Sequence, residues 1–513
     1  MSASPRLDSG DGTLVELLRR AASAAQSRPV LTTFVEPLPA LDPLAAFDRA
    51  EGMGDRVYWS RPGSGIAVAG IGAAATISSS GEERFATAAR QWRALLDGSV
   101  CEGPGVTGLA TRDRDGHPSD HAFGRRPMLV GGFRFDPARA PSPEWLGFPD
   151  SWLMVPRLCL ATSPSGRWLA TSALVKRGDD PERLADALER DRDRLLGAGP
   201  AASAAEAWAT IAESMRGRSA AAELRTDAED EAADDDWSDT EPSRTAFMRT
   251  VAEGAAAVRD GALEKVVTAR SVEWRPRELP RVSDTLRRLE ERHAECIVFA
   301  VVRGGRTFLG ASPERLVKVD GRTVRATSLA GSIARGSDAE DDVRRAAALM
   351  HSAKDREEHD IVVRALTTEL AELCDAVTAP AAPALLTLRD VHHLYTPITA
   401  HRREGTSILR IIERLHPTPA VGGAPREEAL AFIREHEAWD RGWYAAPVGW
   451  MDSSGDGEFA VALRSALMDG DRATLFAGCG IVGDSVPEDE YAESELKLRA
   501  MREALEGGEV SAS

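Results

Sequence analysis

Residues 476 to 497 carry the pattern that most restricts how this chain can fold. The run Phe-Ala-Gly-Cys-Gly-Ile-Val-Gly-Asp-Ser-Val-Pro-Glu-Asp-Glu-Tyr-Ala-Glu-Ser-Glu-Leu-Lys reads as a buried strand, a glycine turn and a helix. Ser485 stands three residues before Glu488 with Pro487 between them, a capping-box pattern that predicts a helix starting near Val486. In that helix Glu490, Glu493 and Lys497 fall at i, i+3 and i+7, so two carboxylates and an ammonium share one face. Gly478 and Gly480, lacking a Cβ, let main-chain amides approach a ligand on the same side. Such a surface could hold a divalent cation and an anion together. On these residues alone, a solvated face with incidental acids accounts for the pattern more simply.

The remainder of the chain can bury a large core: 513 residues, 43% hydrophobic, suffice for one large domain or for two to three smaller ones. A formal net charge of -18 argues against nucleic acid and anionic membrane as partners, because both need a basic footprint. An anionic substrate must therefore meet a local cluster of Arg and Lys. Cys101, Cys159, Cys296, Cys374 and Cys479 are scattered, with no CxxC or zinc spacing, which suits a reducing cytoplasm. The first ten residues lack the apolar core of a signal peptide, and no apolar run is long enough to span a bilayer. A cytoplasmic monomer is expected.

Residues 1–225 read as the N-terminal half of a scaffold. Helical patterns cover 13–26, 82–96 and 181–196, and strand patterns cover 29–35, 56–60, 64–71, 128–135 and 152–161. Gly131 and Gly132 are assigned to a bulge or tight turn. Residues 226–242 are dominated by like charges and are expected to form a surface loop or linker. Residues 243–502 would form the chemistry-bearing half, and 503–513 a frayed tail.

In that second half Lys265, Val267 and Ala269 share one face of a strand, although Lys is rarely buried without a partner or a purpose. Glu314 follows the strand pair 296–302 and 306–310 and stands just past a strand end, where catalytic carboxyls are common. Residues 338–376 read as one long helical pattern in which Asp355 and Glu358 stand at i and i+3, beside Lys354 and His359. His392 and His393 are adjacent on an extended segment and point opposite ways, so at most one faces a site. Segments 441–450 and 459–465 read as strands that place Tyr444 and Arg464 among apolar neighbours, where each needs a polar partner.

Four carboxylates on two helices suit a hard cation such as Mg²⁺, whereas zinc or iron would call for more His or Cys. Arg464, Tyr444, Lys497 and glycine amides could clamp one or two substrate carboxylates. Lys265 could act as a general base where its surroundings favour the neutral amine, and Glu314 as the complementary acid in an apolar pocket.

Eight motifs in order make the chain recognisable: Lys-Val-Val-x-x-Arg from Lys265, Gly-Ala-Ser-Pro-Glu ending at Glu314, Leu-Ala-Gly-Ser from Leu329, and Lys-Asp-Arg-x-Glu-His from Lys354. His-Leu-x-Thr-Pro from His393, Arg-Gly-Trp-Tyr from Arg441, Ala-Gly-x-Gly-Ile-Val from Ala477 and Glu-x-x-Glu-x-x-x-Lys from Glu490 complete the set. The set resembles the chorismate-utilising enzymes, and within them the isochorismate synthases, densely over residues 243–500 and more loosely before. The resemblance implies a single large α/β (α+β) domain of two intertwined halves, with packed antiparallel sheets surrounded by helices. It implies that Lys265 activates water for attack at C2 of chorismate and that Glu314 protonates the departing C4 hydroxyl. Glu358 and Glu493 would bind Mg²⁺ directly, with Asp355 and Glu490 as direct or water-mediated supports. Arg464 and Tyr444 match positions that grip the enolpyruvyl carboxylate. Gly331, Ser332, His393, Gly478, Gly480 and Lys497 match other substrate-facing positions.

Within the family, relatives that use ammonia or a lysine nucleophile lack a base at the position of Lys265, so water and isochorismate are expected here. Salicylate synthases share Lys265 and Glu314 but eliminate pyruvate, and tend toward threonine where this chain has Ser332. Ser328 departs from the proline that often precedes Leu-Ala-Gly. The long N-terminal half is more like the menaquinone-pathway enzymes than the siderophore-pathway ones. A non-catalytic chorismate-binding relative is disfavoured, because decay would be expected to remove some of the catalytic and acidic residues.

Overall fold

The computed structural model describes residues 6–7, 12–38, 41–106, 123–197, 236–239 and 244–507. Through them runs one hydrogen-bonded network of 22 strands. Its spine starts at Val391–Arg402, which pairs with Thr323–Ala334, and continues through Arg315–Asp320, Gly457–Val461 and Pro447–Asp452. It then crosses into the N-terminal half through Met128–Phe133, Ser151–Ser163, Ile66–Ser78 and Arg56–Arg61. From there it returns to the C-terminal half through Ile297–Arg303, Arg306–Ser312, Ser465–Asp469, Arg472–Ile481 and Lys265–Arg275. Every joint of this spine is antiparallel.

Two joints carry strands of one half onto strands of the other: Met128–Phe133 on Pro447–Asp452, and Arg56–Arg61 on Ile297–Arg303. Neither half therefore closes its own sheet edges, and an uncovered edge is a liability in water. The main core is likewise shared, with Trp59 and Trp152 from the first half packed in one cluster with Phe299 and Trp443 from the second. The expected single domain of intertwined halves is what forms.

Ser151–Ser163 is buried along nearly its whole length, as a strand covered on both faces must be. Close approach in this layer explains Gly131. Its φ is 148°, and a Cβ there would lie 2.2 Å from the Trp152 carbonyl oxygen. Gly131 and Gly132 sit at neither the expected bulge nor a tight turn: both pair in register inside strand Met128–Phe133, and close packing is what requires glycine there.

Local expectations fail where backbone conformation breaks a pattern that side chains continue. The helical run 338–376 is two helices, Ala339–His351 and Ala353–Leu373. Ser352 divides them, with ψ of 118° and its hydroxyl accepting from the Asp355 amide. Ser485 does not cap the final helix, Pro487–Glu506; its hydroxyl instead accepts from the Val482 amide. That helix continues past Arg502, and Ala504 and Leu505 are buried, so fraying does not begin at residue 503. Tyr444 lies in a turn before strand Pro447–Asp452, and Arg464 lies between Gly457–Val461 and Ser465–Asp469 at φ 47°. Neither is on a strand.

Most of the acidic run falls outside the described residues. Asp236–Asp239 pairs with Lys265–Arg275, so this part of the expected loop is an edge strand. Trp237 stacks on Trp274 at 5.2 Å, and its indole N–H donates to Glu506 at 2.9 Å.

Gly131→Ala tests the packing of the shared layer. The added methyl forces the Met128–Phe133 strand off its neighbour, and a stability loss of about 2–3 kcal/mol is expected in urea unfolding. Stability equal to the parent would show that the two halves are not held this closely.

Candidate active site

The two ends of the spine meet around one cavity of about 760 Å³, its open mouth included, a size suited to a small molecule. One wall comes from Lys265–Arg275 paired with Arg472–Ile481, whose register sets Gly480 opposite Val267 and Gly478 opposite Ala269. The other comes from Thr323–Ala334 paired with Val391–Arg402. Helices Ala353–Leu373 and Pro487–Glu506 bring in the acidic faces.

Lys265 is 1% exposed and its Nζ lies 2.8 Å from Glu358 Oε1. Gly480 makes this pair possible: a Cβ there would stand 2.2 Å from Glu358 Oε1 and 2.9 Å from Lys265 Cε. Lys497 Nζ binds Glu493 Oε1 at 2.7 Å and the Gly478 carbonyl at 2.9 Å. Burial is the strongest single influence and works against its charge, but Glu493 by charge and hydrogen bond, with Cys479 and Tyr444 adding, together outweigh it and keep the ammonium protonated. Lys354 Nζ contacts Glu490 at 3.2 Å. Glu490 is nonetheless pushed up to about 6, by burial first and then by repulsion from Glu493. Asp355 is raised by burial too, with Glu358 and Glu493 adding repulsion. The four carboxylates are therefore within electrostatic reach of one another, interleaved with three lysines.

Glu314 has a different environment. It follows Arg306–Ser312, its amide donating to Ser312 Oγ at 3.2 Å and its carbonyl accepting from the Val461 amide at 3.1 Å. Burial pushes its carboxyl up to about 8 against the pull of Lys265 and Lys497. It is a neutral acid at pH 7, facing the same cavity.

Opposite it, the Gly331 bulge turns Ser332 inward. The register slips between Ala330 and Ser332, and Gly331 takes φ 77°. Ser332 Oγ lies 2.9 Å from His393 Nδ1, and Arg464 donates to His393 Nε2 at 3.2 Å. Since the guanidinium can only donate, Nε2 accepts and the ring proton sits on Nδ1. Burial, Arg464 and Lys497 together keep this imidazole neutral. Tyr444 stacks on Phe476 at 5.3 Å, and burial raises its hydroxyl above the usual phenol range.

Eleven of the fourteen singled-out residues line the cavity, the exceptions being Lys265, Asp355 and Glu490. Lys265 reaches it through Glu358. Asp355 Cβ lies 3.1 Å from the point a Gly331 Cβ would occupy, and Glu490 stands behind Glu493 on the final helix. His392 turns away, as alternation on a strand requires, and binds Asp342 at 2.9 Å. Sequence reasoning gave no role to the Glu437–Arg441 pair. Arg441 is 3% exposed, is bound to Glu437 at 2.5 Å and donates to the carbonyls of Val267 and Val421, so it braces two walls. The i, i+4 spacing of opposite charges and the place of Arg441 at the head of the Arg-Gly-Trp-Tyr motif were its signals, and neither indicated a bracing role.

Residues 16–506 match the family model described as chorismate binding enzyme. The chain belongs to the chorismate binding enzyme family. Among similar proteins, the salicylate biosynthesis isochorismate synthase of Pseudomonas aeruginosa is 40% identical over 95% of this chain and 93% of its own. The isochorismate synthase MenF of Bacillus subtilis is 36% identical over 94% of both chains. Among solved structures, the menaquinone-specific isochorismate synthase MenF of Escherichia coli has the same fold, with TM-score 0.67, 23% identity and coverage of 96% and 99%. Among the described residues of this family member, no helix is long and apolar enough to cross a membrane.

The Glu314 carboxyl gives a direct test. An unfolded glutamate titrates near 4.3, whereas the folded one titrates near 8, so folding takes up a proton between these values. Its contribution is most favourable below about pH 4 and is lost as pH rises toward 8. Infrared difference spectra should show a protonated carboxyl band at pH 7 that fades through about pH 8 and is absent from Glu314→Gln. A carboxylate already ionised at pH 6 would contradict this environment.

Proposed function

We propose that this chain is an isochorismate synthase, isomerising chorismate by adding water at C2 and losing the hydroxyl at C4. The observation that carries the reading is a carboxyl kept neutral at pH 7 in the cavity that also joins a buried lysine to a metal-type carboxylate cluster. Lys265, as the free amine, takes a proton from the attacking water. Glu314 gives a proton to the departing C4 oxygen, so one water enters and one leaves. Arg464 and Tyr444 grip the enolpyruvyl carboxylate, and the Nδ1–H tautomer of His393 holds Ser332 toward the substrate.

The acidic residues fit Mg²⁺. They offer only carboxylate oxygens, the donors a hard cation takes, and Glu490 and Asp355 are raised partly by mutual repulsion that a cation relieves. Cys479 Sγ lies close to Glu490 and Glu493 but is directed at the Glu490 carbonyl at 3.1 Å. Glu358 and Glu493 would hold the ion directly, with Asp355 and Glu490 in support. When bound, it supplies positive charge for the ring carboxylate of the substrate. The five cysteines are free and buried, which supports a reducing cytoplasm as the setting, and we read the enzyme as a monomer.

Supply of menaquinone biosynthesis is the pathway we propose, on the full-length likeness to the Bacillus subtilis MenF. Supply of salicylate formation is the second reading, on the likeness to the Pseudomonas aeruginosa enzyme. Deleting the gene in its host separates them: loss of menaquinone supports the first, and unchanged menaquinone with lost salicylate the second.

Purified protein with chorismate and Mg²⁺ should yield isochorismate without pyruvate. Equal amounts of salicylate and pyruvate would assign the salicylate synthase reaction instead, and no turnover would assign a binding role. Lys265→Ala should lower kcat by about 10²–10⁴-fold while chorismate still binds. Near-normal turnover would remove Lys265 from the base role.

A further inference from the structure

We propose a second metal site, for a borderline divalent cation of the zinc type, held by His293, Glu295 and Cys296. These residues form the connection between helix Val282–Arg292 and strand Ile297–Arg303. One ligand atom from each lies within 4.8 Å of the others. The turn that gathers them is closed by the Cys296 amide donating to the His293 carbonyl at 2.9 Å.

An independent observation points to a ligand. His293 is 1% exposed, yet its Nδ1 is buried without a hydrogen-bond partner. Leaving such a group unpaired is costly, and coordination through Nδ1 removes that cost. Cys296 is a free thiol, also 1% exposed, and Glu295 is exposed, so the triad is buried on two sides and open on the third. Nitrogen, thiolate and carboxylate donors select zinc over magnesium, and three protein ligands leave one position for water.

Metal binding releases the Cys296 proton, and the resulting thiolate with Glu295 carries two negative charges, which offset both the dication and the repulsion of Arg464, Arg389 and Arg292, the arginines whose field reaches His293. Arg464, which lines the active cavity, is close enough to act electrostatically on both His293 and Cys296, so the ion would sit near that cavity without reaching into it.

Cobalt(II) is the probe, added to the full chain in excess Mg²⁺ so that the carboxylate cluster is occupied. One equivalent should raise a near-ultraviolet thiolate-to-cobalt charge-transfer band. Cys296→Ser should abolish the band, and Cys479→Ser should retain it. Glu295→Gln, at an exposed position that does not endanger folding, should keep the band but bind cobalt more weakly. Absence of the band in the parent protein, its survival in Cys296→Ser, or unchanged cobalt affinity in Glu295→Gln would overturn the site as assigned.

Discussion

The contact between Lys265 and Glu358 ties the site together. It joins the first residue of a strand at one end of the sheet to a helix packed on the other end, at 2.8 Å and largely out of water. Desolvating both charges costs several kcal/mol per ion, and the attraction returns this only where geometry is close and neighbouring groups assist. Gly480 provides the closeness, because any side chain there would occupy the space of the carboxylate. Lys497 with Glu493 and Lys354 with Glu490 extend the same alternation along the final helix. Removing one partner would leave its counterpart buried and uncompensated.

This alternation gives Glu358 two calls on one carboxylate. Glu358 pairs with Lys265 at 2.8 Å, and in the proposed mechanism it would also share its oxygens with a cation beside Glu493, drawing its charge away from the lysine that is proposed to act as the base. On the proposed reading, an acidic protein that binds a dicarboxylate among four acids would also need such a cation to avoid repelling its substrate. Glu314 complements the arrangement by staying neutral in the same field, so the proposed base and acid differ through environment.

Much of this was legible in the sequence because the chemistry resides in residue types at helical and strand spacing. Lys265 on an apolar strand face, Asp355 and Glu358 at i, i+3, and the glycines before Glu490 stood out without coordinates. The intertwining of the halves was implied by family resemblance, since nothing local says that Arg56–Arg61 pairs with Ile297–Arg303. What stayed hidden depends on backbone angles and tertiary neighbours. Ser352 interrupts a run whose side chains remain helix-compatible, and Arg464 adopts φ 47° with no glycine to announce it. The bracing role of Arg441 appears only when Val267 and Val421 are brought beside it. The compact His-x-Glu-Cys turn at 293–296 carries neither a CxxC nor a spaced His/Cys pattern, so nothing in its sequence marks it as a metal site.

The central claim is that carboxylates and lysines form one array that accepts substrate only together with a cation. Calorimetry of chorismate binding to Glu314→Gln, which keeps every charge of the array but lacks the acid, measures this most directly. Chorismate should bind at least about tenfold more tightly with Mg²⁺ than without, and Mg²⁺ should gain by the same factor from chorismate. Equal chorismate affinity in the presence and absence of Mg²⁺ would contradict the account.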